Sequence, residues 1–342
     1  MEPPRCRVRV LTPQKPSYPH NPAGWIPIEF IASNLSVVSR GAPLSRRFNP
    51  PLDPHQAIES DSKGLASNMQ TAFLRGRDHQ QVGRLELEGL PSAAVALSRG
   101  GARKTYSYTD PNEDCVAYAL GEGGSLAIAA DGHHGELGSE AAVEILLEGF
   151  AEAWTGAAPP ARGEDAWRAQ AIDALMAANR AILEVAGRNQ LPPAPTTFVV
   201  ALVRPEDDLL LHLSVGDSHL FAVDGGYAIE LGGRDPSWKF TPFLGYEEAR
   251  PELLDKYARV GIRRLADLRA VVLATDGLSE PGIGVSDPPT TVQAAVNHVA
   301  LDAPEDRRAV DTCRSVVETA MHAHRRQKAG DNMACSVLWL ER

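Results

Sequence analysis

Four stretches of this 342-residue chain set an aspartate beside a glycine at the edge of an apolar run: Asp131-Gly132, Gly216-Asp217, Asp276-Gly277 and Gly330-Asp331. A fifth acidic spot, "PNEDC", places Glu113 and Asp114 immediately before the apolar run "CVAYAL". Any one Asp-Gly pair reads as a turn signal, because glycine permits the sharp turn and the close backbone approach that ends a strand. Four at strand ends ask for more than turns. A buried carboxylate without a partner is expensive. Several can converge on one spot only if their repulsion is relieved, and divalent cations relieve it. An all-oxygen donor set without a cysteine partner suits Mg2+ or Mn2+ rather than structural zinc.

The elements that must hold these carboxylates follow from periodicity. "GSLAIAAD" reads as a strand ending at Asp131, and residues 136–151 as a helix with Ala141, Ile145, Leu146 and Phe150 at helical spacing. Residues 155–163, "TGAAPPARG", form a loop by their Gly and Pro content. Residues 164–189 make a second helix, in which Trp167, Ile172, Leu175, Met176, Ile182 and Leu183 repeat near 3.6. The period then changes: "TTFVVALV", "LLLHLSVG" and "HLFAVDGG" are β-rich segments, and "AVVLATDG" is another strand ending in an aspartate. Residues 290–300 and 305–326 read as helices, and "ACSVLWL" closes the chain as a strand. Strands, two helices, several strands, more helices and a last strand make a segregated α+β order rather than alternating βαβ, with a sheet pair inside and helices outside.

Residues 1–90 differ from the rest. Eleven of the 26 prolines lie in the first 60 residues, and in the first 50 seven Arg or Lys outnumber two acids. We read a Pro-rich, basic amino-terminal arm, partly ordered or docking, with a helix expected within residues 54–75 and a folded domain over residues 91–342. The whole chain carries a net charge of −10 and a sequence pI near 5.5, which argues against a nucleic-acid surface. The opening "MEPPRCRVRV" has no apolar core, no run of 18 apolar residues occurs, and Cys6, Cys115, Cys313 and Cys335 show no CxxC spacing. The expectation is a cytoplasmic protein with reduced thiols, bound to neither membrane nor nucleic acid.

In order along the chain, "PNEDC", "AADGHHG", "TTFVVALV", "LSVGDSHLFAV", "LATDGLSE" and "GDNMACSVLWL" resemble the successive motifs of the metal-dependent protein phosphatases of type 2C, the PPM family, in a bacterial-type member. The resemblance covers roughly residues 92–342. It implies a four-layer αββα sandwich, two antiparallel sheets flanked by helix pairs. It implies hydrolysis of phosphoserine or phosphothreonine in proteins by a metal-bridging hydroxide, without a phosphoenzyme, in opposition to a Ser/Thr kinase. Carried over residue by residue, it makes Asp131 the carboxylate bridging two Mg2+ or Mn2+ ions and gives the Gly132 carbonyl to one of them. Asp276 and Asp331 fall on the first metal, Glu113 and Asp114 on the second and its waters, and Asp217 where many members hold a third, looser ion. His133 takes the place of the proposed general acid for the leaving alkoxide, a task that suits an imidazole near its ordinary pKa. We assign His134 a structural or surface role, read Thr196 and Thr197 as packing and turn residues, and note that His219 stands where most members have arginine.

One departure matters. The arginine that grips substrate phosphate in much of the family, three positions before the "NED" asparagine, is Thr109 here, with Arg103 and Lys104 as the cations that can reach in. Residues 234–267 fall where the family carries a variable flap. Two other readings stand beside an active phosphatase: a catalytically weak or silent regulatory or binding module, and a hydrolase of small phosphate esters.

Overall fold

The computed structural model describes residues 69–104, 111–161, 163–232, 242–247 and 249–340. Among them, two six-stranded antiparallel sheets form. The first runs β1 (Gln70–Arg75), β4 (Cys115–Leu120), β5 (Ser125–Ala130), β6 (Phe198–Arg204), β7 (Leu209–Val215) and β10 (Arg259–Arg264). The second runs β2 (Glu86–Leu90), β3 (Ala93–Ser98), β12 (Met333–Trp339), β11 (Ala270–Ala274), β8 (His219–Val223) and β9 (Ala228–Glu230).

The strand sequences explain why the sheets stack. β6 and β12 are buried along their whole length, as strands covered on both faces must be. Successive side chains point to opposite faces. Thus Cys115, Ala117 and Ala119 of β4 join the core beneath the helices, while Val116 and Tyr118 join the layer between the sheets. The first helical layer contains α1 (Leu137–Gly149), α2 (Ala151–Thr155), α3 (Glu164–Asn189) and α4 (Pro251–Tyr257). Trp154 and Trp167 meet edge to face there at 5.0 Å, and the Trp167 indole donates to the His212 carbonyl at 3.1 Å, tying α3 to β7. The other helical layer is α5 (Pro288–Asp302) and α6 (Arg308–Gln327), packed on β3, β11 and β12. Pro288 opens α5, and the Asp287 side chain accepts the Thr290 N–H at 3.2 Å, which accounts for that helix starting where it does. The architecture is the αββα sandwich expected from the sequence.

Three expectations need adjusting. Residues 70–90, read as part of the arm, supply β1 and β2, one strand to each sheet. Their sequences, QTAFLR and ELEGL, have short, mixed polar patterns because both strands are sheet edges with one half-covered face. The helix expected within residues 54–75 gives way to strand at Gln70–Arg75, and residues 54–68 lie outside the described residues, as does Cys6. The second half of the expected flap contains α4 and the edge strand β10, which pairs with β7 from Arg259↔Ser214 to Arg264↔Leu209. Cys115, Cys313 and Cys335 are buried free thiols, in keeping with the reduced state read from their spacing. No helix among the described residues is long and apolar enough to cross a membrane.

Candidate metal centre

Antiparallel pairing decides where the carboxylates go. In the first sheet, Cys115 pairs with Ala130 and Phe198 with Val215. The start of β4, the end of β5 and the end of β7 therefore share one edge, and Glu113, Asp114, Asp131 and Asp217 extend from it. In the second sheet Ala274 pairs with Cys335, so the end of β11 and the start of β12 bring Asp276 and Asp331 to the same end of the sandwich. Two side chains, Thr275 and Asn332, lock the sheets together there. The Thr275 hydroxyl accepts the Ala334 N–H at 2.8 Å and donates to Asp114 Oδ2 at 2.7 Å, and Asn332 Oδ1 accepts the Glu113 N–H at 3.1 Å.

Asp131 is fixed through its backbone. Its N–H donates to Thr197 Oγ1 at 2.9 Å, and its carbonyl accepts the Thr196 hydroxyl at 2.8 Å and the Thr197 N–H at 3.0 Å. The threonine pair is thus more than packing: it clamps the residue at the centre of the cluster. Thr197 Oγ1 also lies 2.7 Å from Ser218 Oγ, linking the clamp to the turn that carries Asp217. Two glycines are required here for space. A Cβ on Gly132 would meet the Glu113 carbonyl, and one on Gly277 would collide with the Asn332 carbonyl.

The electrostatics are those of crowded acids. Asp131 and Asp276 share a side-chain hydrogen bond, and both pKa values are raised well above the usual range, first by burial and then by neighbouring carboxylates. Asp114, fully buried, is pushed up to about 8 by desolvation, against the help of Thr275 and with further repulsion from Asp331 and Asp276. Its Oδ1 has no hydrogen-bond partner. Lys104, with its side chain 16% exposed, stands with Nζ 3.1 Å from Asp331 Oδ1 and 3.6 Å from Glu113 Oε2. Burial works against its charge, but Asp331, Glu113 and Asp114 hold its pKa raised. Within the cluster, Asp131 and Asp276 share a hydrogen bond, and the Lys104 ammonium lies between Asp331 and Glu113 as a counter-charge.

The residues fit divalent cations. The donors are oxygens only, one carboxylate oxygen of Asp114 is buried and unpartnered, and the acids raise one another's pKa in the way that a hard dication relieves. Among the described residues, no three His, Cys, Asp or Glu side chains close a ligand set as they stand.

His133 sits beside the cluster. Its N–H donates to the Pro195 carbonyl at 2.8 Å, its Nδ1 is 3.8 Å from Asp131 Oδ1, and its ring lies 4.6 Å from the Phe243 ring. Burial lowers its pKa, with Asp217 opposing, so the imidazole departs from the ordinary value expected of it. His134 is exposed, with φ 65° in the left-handed region, consistent with a surface role.

Two residues were not singled out from the sequence, and a third, His219, was noted only for standing where most family members have arginine. Glu280 folds back on the cluster because its N–H donates to the Asp276 carbonyl at 2.7 Å; its side chain hydrogen bonds to Asp276, and burial and Asp331 raise its pKa. The signal was its place four residues after Asp276, the spacing of a helical turn. His324 of α6 is buried, accepts the Gly101 N–H through Nδ1 at 3.1 Å and donates from Nε2 to the Gly277 carbonyl at 2.7 Å. It holds together the turn after Asp276 and the loop before Lys104. His219 spans Glu230 at 2.9 Å and Ser279 at 2.6 Å, so the residue in the arginine position braces the same turn. Thr109 lies outside the described residues; of its two candidate substitutes, Lys104 reaches the carboxylates and Arg103 is exposed.

Comparison with known proteins agrees with this fold. The family model for protein phosphatase 2C matches residues 102–300, more than half of the chain. Among solved structures, the serine-threonine phosphatase 2C from Toxoplasma gondii aligns with TM-score 0.57 and 12% identity, over 80% of this chain and 99% of that one. The serine/threonine phosphatase Stp1 from Staphylococcus aureus gives TM-score 0.52 and 17% identity, over 79% and 100%. The catalytic domain of the phosphatase PstP in complex with two manganese ions gives TM-score 0.51 and 20% identity, over 75% and 100%. No curated relative matches the chain. At these identities the structures establish the fold, and the family match extends the conclusion to the chain itself, which belongs to the protein phosphatase 2C family of metal-dependent protein serine/threonine phosphatases.

Proposed function

We propose that this chain hydrolyses phosphoserine and phosphothreonine in cytoplasmic proteins, opposing a Ser/Thr kinase, at the end of the sandwich where the carboxylates meet. The observation that carries the reading is the buried acid cluster itself. Asp131, Asp276, Asp331 and Asp114 come from four strand ends in two sheets, and three of them have raised pKa values. A module without chemistry has no need of so costly an arrangement.

Asp131 and the Gly132 carbonyl would hold the ions at the centre of the cluster, Asp276 and Asp331 would hold one of them, Glu113 and Asp114 another and its waters, and Asp217 a third, looser one. Mg2+ or Mn2+ bound there supplies an activated water near neutral pH and neutralises charge on the phosphoryl oxygens. The chain's own groups do the rest. Thr196 and Thr197 keep Asp131 from recoiling, and Thr275 orients Asp114 so that one oxygen faces inward. His133 protonates the leaving alkoxide; its lowered pKa makes it a stronger acid, present in smaller amount at neutral pH.

The test is phosphate release from a phosphothreonine peptide by protein stripped with EDTA, before and after Mn2+ is restored. Activity should vanish on chelation, return with Mn2+, and be nearly absent in Asp131→Asn with the fold intact. Full activity of exhaustively chelated protein would overturn the reading.

A further inference from the structure

The cluster already holds a cation of its own. The Lys104 ammonium lies within 3.1 Å of Asp331 and 3.6 Å of Glu113, and these two acids are assigned to different ions in the reading above. The backbone leading to it is pinned on both sides of the site. Gly101 donates to His324, and the Arg103 carbonyl accepts the Gly330 N–H at 3.0 Å, next to Asp331. Lys104 is the next residue, so its attachment point is held while its four-carbon stem stays free to turn. With its side chain 16% exposed, it sits at the rim and has a route outward.

We propose that Lys104 is a tethered counter-ion that competes with the divalent metal for Asp331 and Glu113, stabilising the metal-free site and setting the metal concentration at which the site fills. The inference rests on the phosphatase reading for the identity of the ligands. The physics is charge exclusion. A carboxylate oxygen that accepts an ammonium at hydrogen-bond distance cannot give the same lone pair to a metal, and a dication brought to that oxygen repels the ammonium strongly at these separations. Filling the site therefore breaks the charge-assisted contact with Asp331 and the ion pair with Glu113. Their loss is charged against metal affinity, whereas a neutral side chain at position 104 exacts no such cost. Among the described residues, both ion pairs of Lys104 are with the cluster.

The experiment is calorimetric titration of Mn2+ into EDTA-stripped wild type, Lys104→Met and Lys104→Arg at one pH and ionic strength. Lys104→Met should bind the tightest ion about tenfold or more tightly, since each tenfold corresponds to about 1.4 kcal/mol. Lys104→Arg keeps the charge and should stay near wild type or weaker. Thermal melts give a readout that does not depend on turnover. Metal-free Lys104→Met should melt lower than wild type, because buried Glu113 and half-buried Asp331 each lose a positive partner, and saturating Mn2+ should raise its Tm by more. If Lys104→Met binds Mn2+ no more tightly than wild type, or gains less in Tm, the lysine is a structural brace and the inference is overturned while the phosphatase reading stands. If no variant and no wild type binds Mn2+ at all, both fall together.

Discussion

Asp114→Asn should make the metal-free protein more stable. Asp114 is fully buried, and its carboxyl is pushed up to about 8 from an ordinary 3.8, chiefly by desolvation and then by Asp331 and Asp276. Because the folded value lies above the unfolded one, the acid is neutral in both states below about 3.8 and costs nothing there. As pH rises from 3.8 toward 8, the unfolded chain releases the proton while the folded chain keeps it, and stability is lost over that window. At pH 7 roughly three pH units of this penalty have accumulated, at about 1.4 kcal/mol each, or about 4 kcal/mol. Because the surrounding acids share protons, about half of that is a safer lower figure. Asparagine is neutral at every pH and keeps an oxygen to accept the Thr275 hydroxyl, which now donates to Asp114 at 2.7 Å. The variant should therefore gain about 2–4 kcal/mol at pH 7, about 5–10 °C in Tm for a domain of this size. The assay is urea denaturation and thermal melting of EDTA-stripped protein from pH 4 to 8. The difference between the two proteins should shrink to near zero at the acid end. With Mn2+ the order should narrow or reverse, because the wild type binds the ion more tightly and so gains more from it. A metal-free variant no more stable than wild type at pH 7 would show that the cluster is not under electrostatic strain, and the argument that a dication belongs there would lose its basis.

Two further perturbations test separate links. His133→Ala should cost about 10²–10⁴-fold on a phosphothreonine peptide and far less on p-nitrophenyl phosphate, whose leaving group hardly needs a proton; equal losses on both substrates would assign His133 to structure. His212 of β7 is buried, its Nδ1 is unpartnered, and its pKa is lowered to about 4 by burial and by Arg263. The unfolded chain therefore takes up a proton that the folded chain refuses, and stability should fall by about 3 kcal/mol as pH drops from 6.5 to 4. In His212→Leu that loss should be absent, and parallel stability curves for the two proteins over this range would refute it.

The sequence alone determined the kinds of element and their order. The helix over residues 164–189 is legible because its apolar residues repeat through seven turns, more than any local competitor can imitate. The strands β6, β11 and β12 are legible because each is a short apolar run closed by Gly-Asp or Asp-Gly punctuation or an adjacent turn. The same punctuation marked four of the acids at the site, since the residue that ends a strand must also make the turn. Edge strands β1 and β2 were not legible: a strand covered on part of one face carries too little apolar alternation to stand out from loop.

What only the tertiary structure decided is which side chains meet across the sheets. Nothing local in "LATDG" or "PNEDC" says that the threonine before Asp276 will donate to Asp114, 161 residues away, or that Asn332 will take the Glu113 N–H, 219 residues away. Nor does any local pattern place Lys104 between Asp331 and Glu113, or His324 between Gly277 and Gly101. These contacts follow from the antiparallel register and from the stacking of one sheet on the other, which bring strand ends far apart in the chain to one edge. Sequence period fixes the direction in which a side chain leaves its own strand. The environment that sets its charge exists only after the second sheet has closed over the first, which is why the residue types at the site could be read in advance and their ionisation could not.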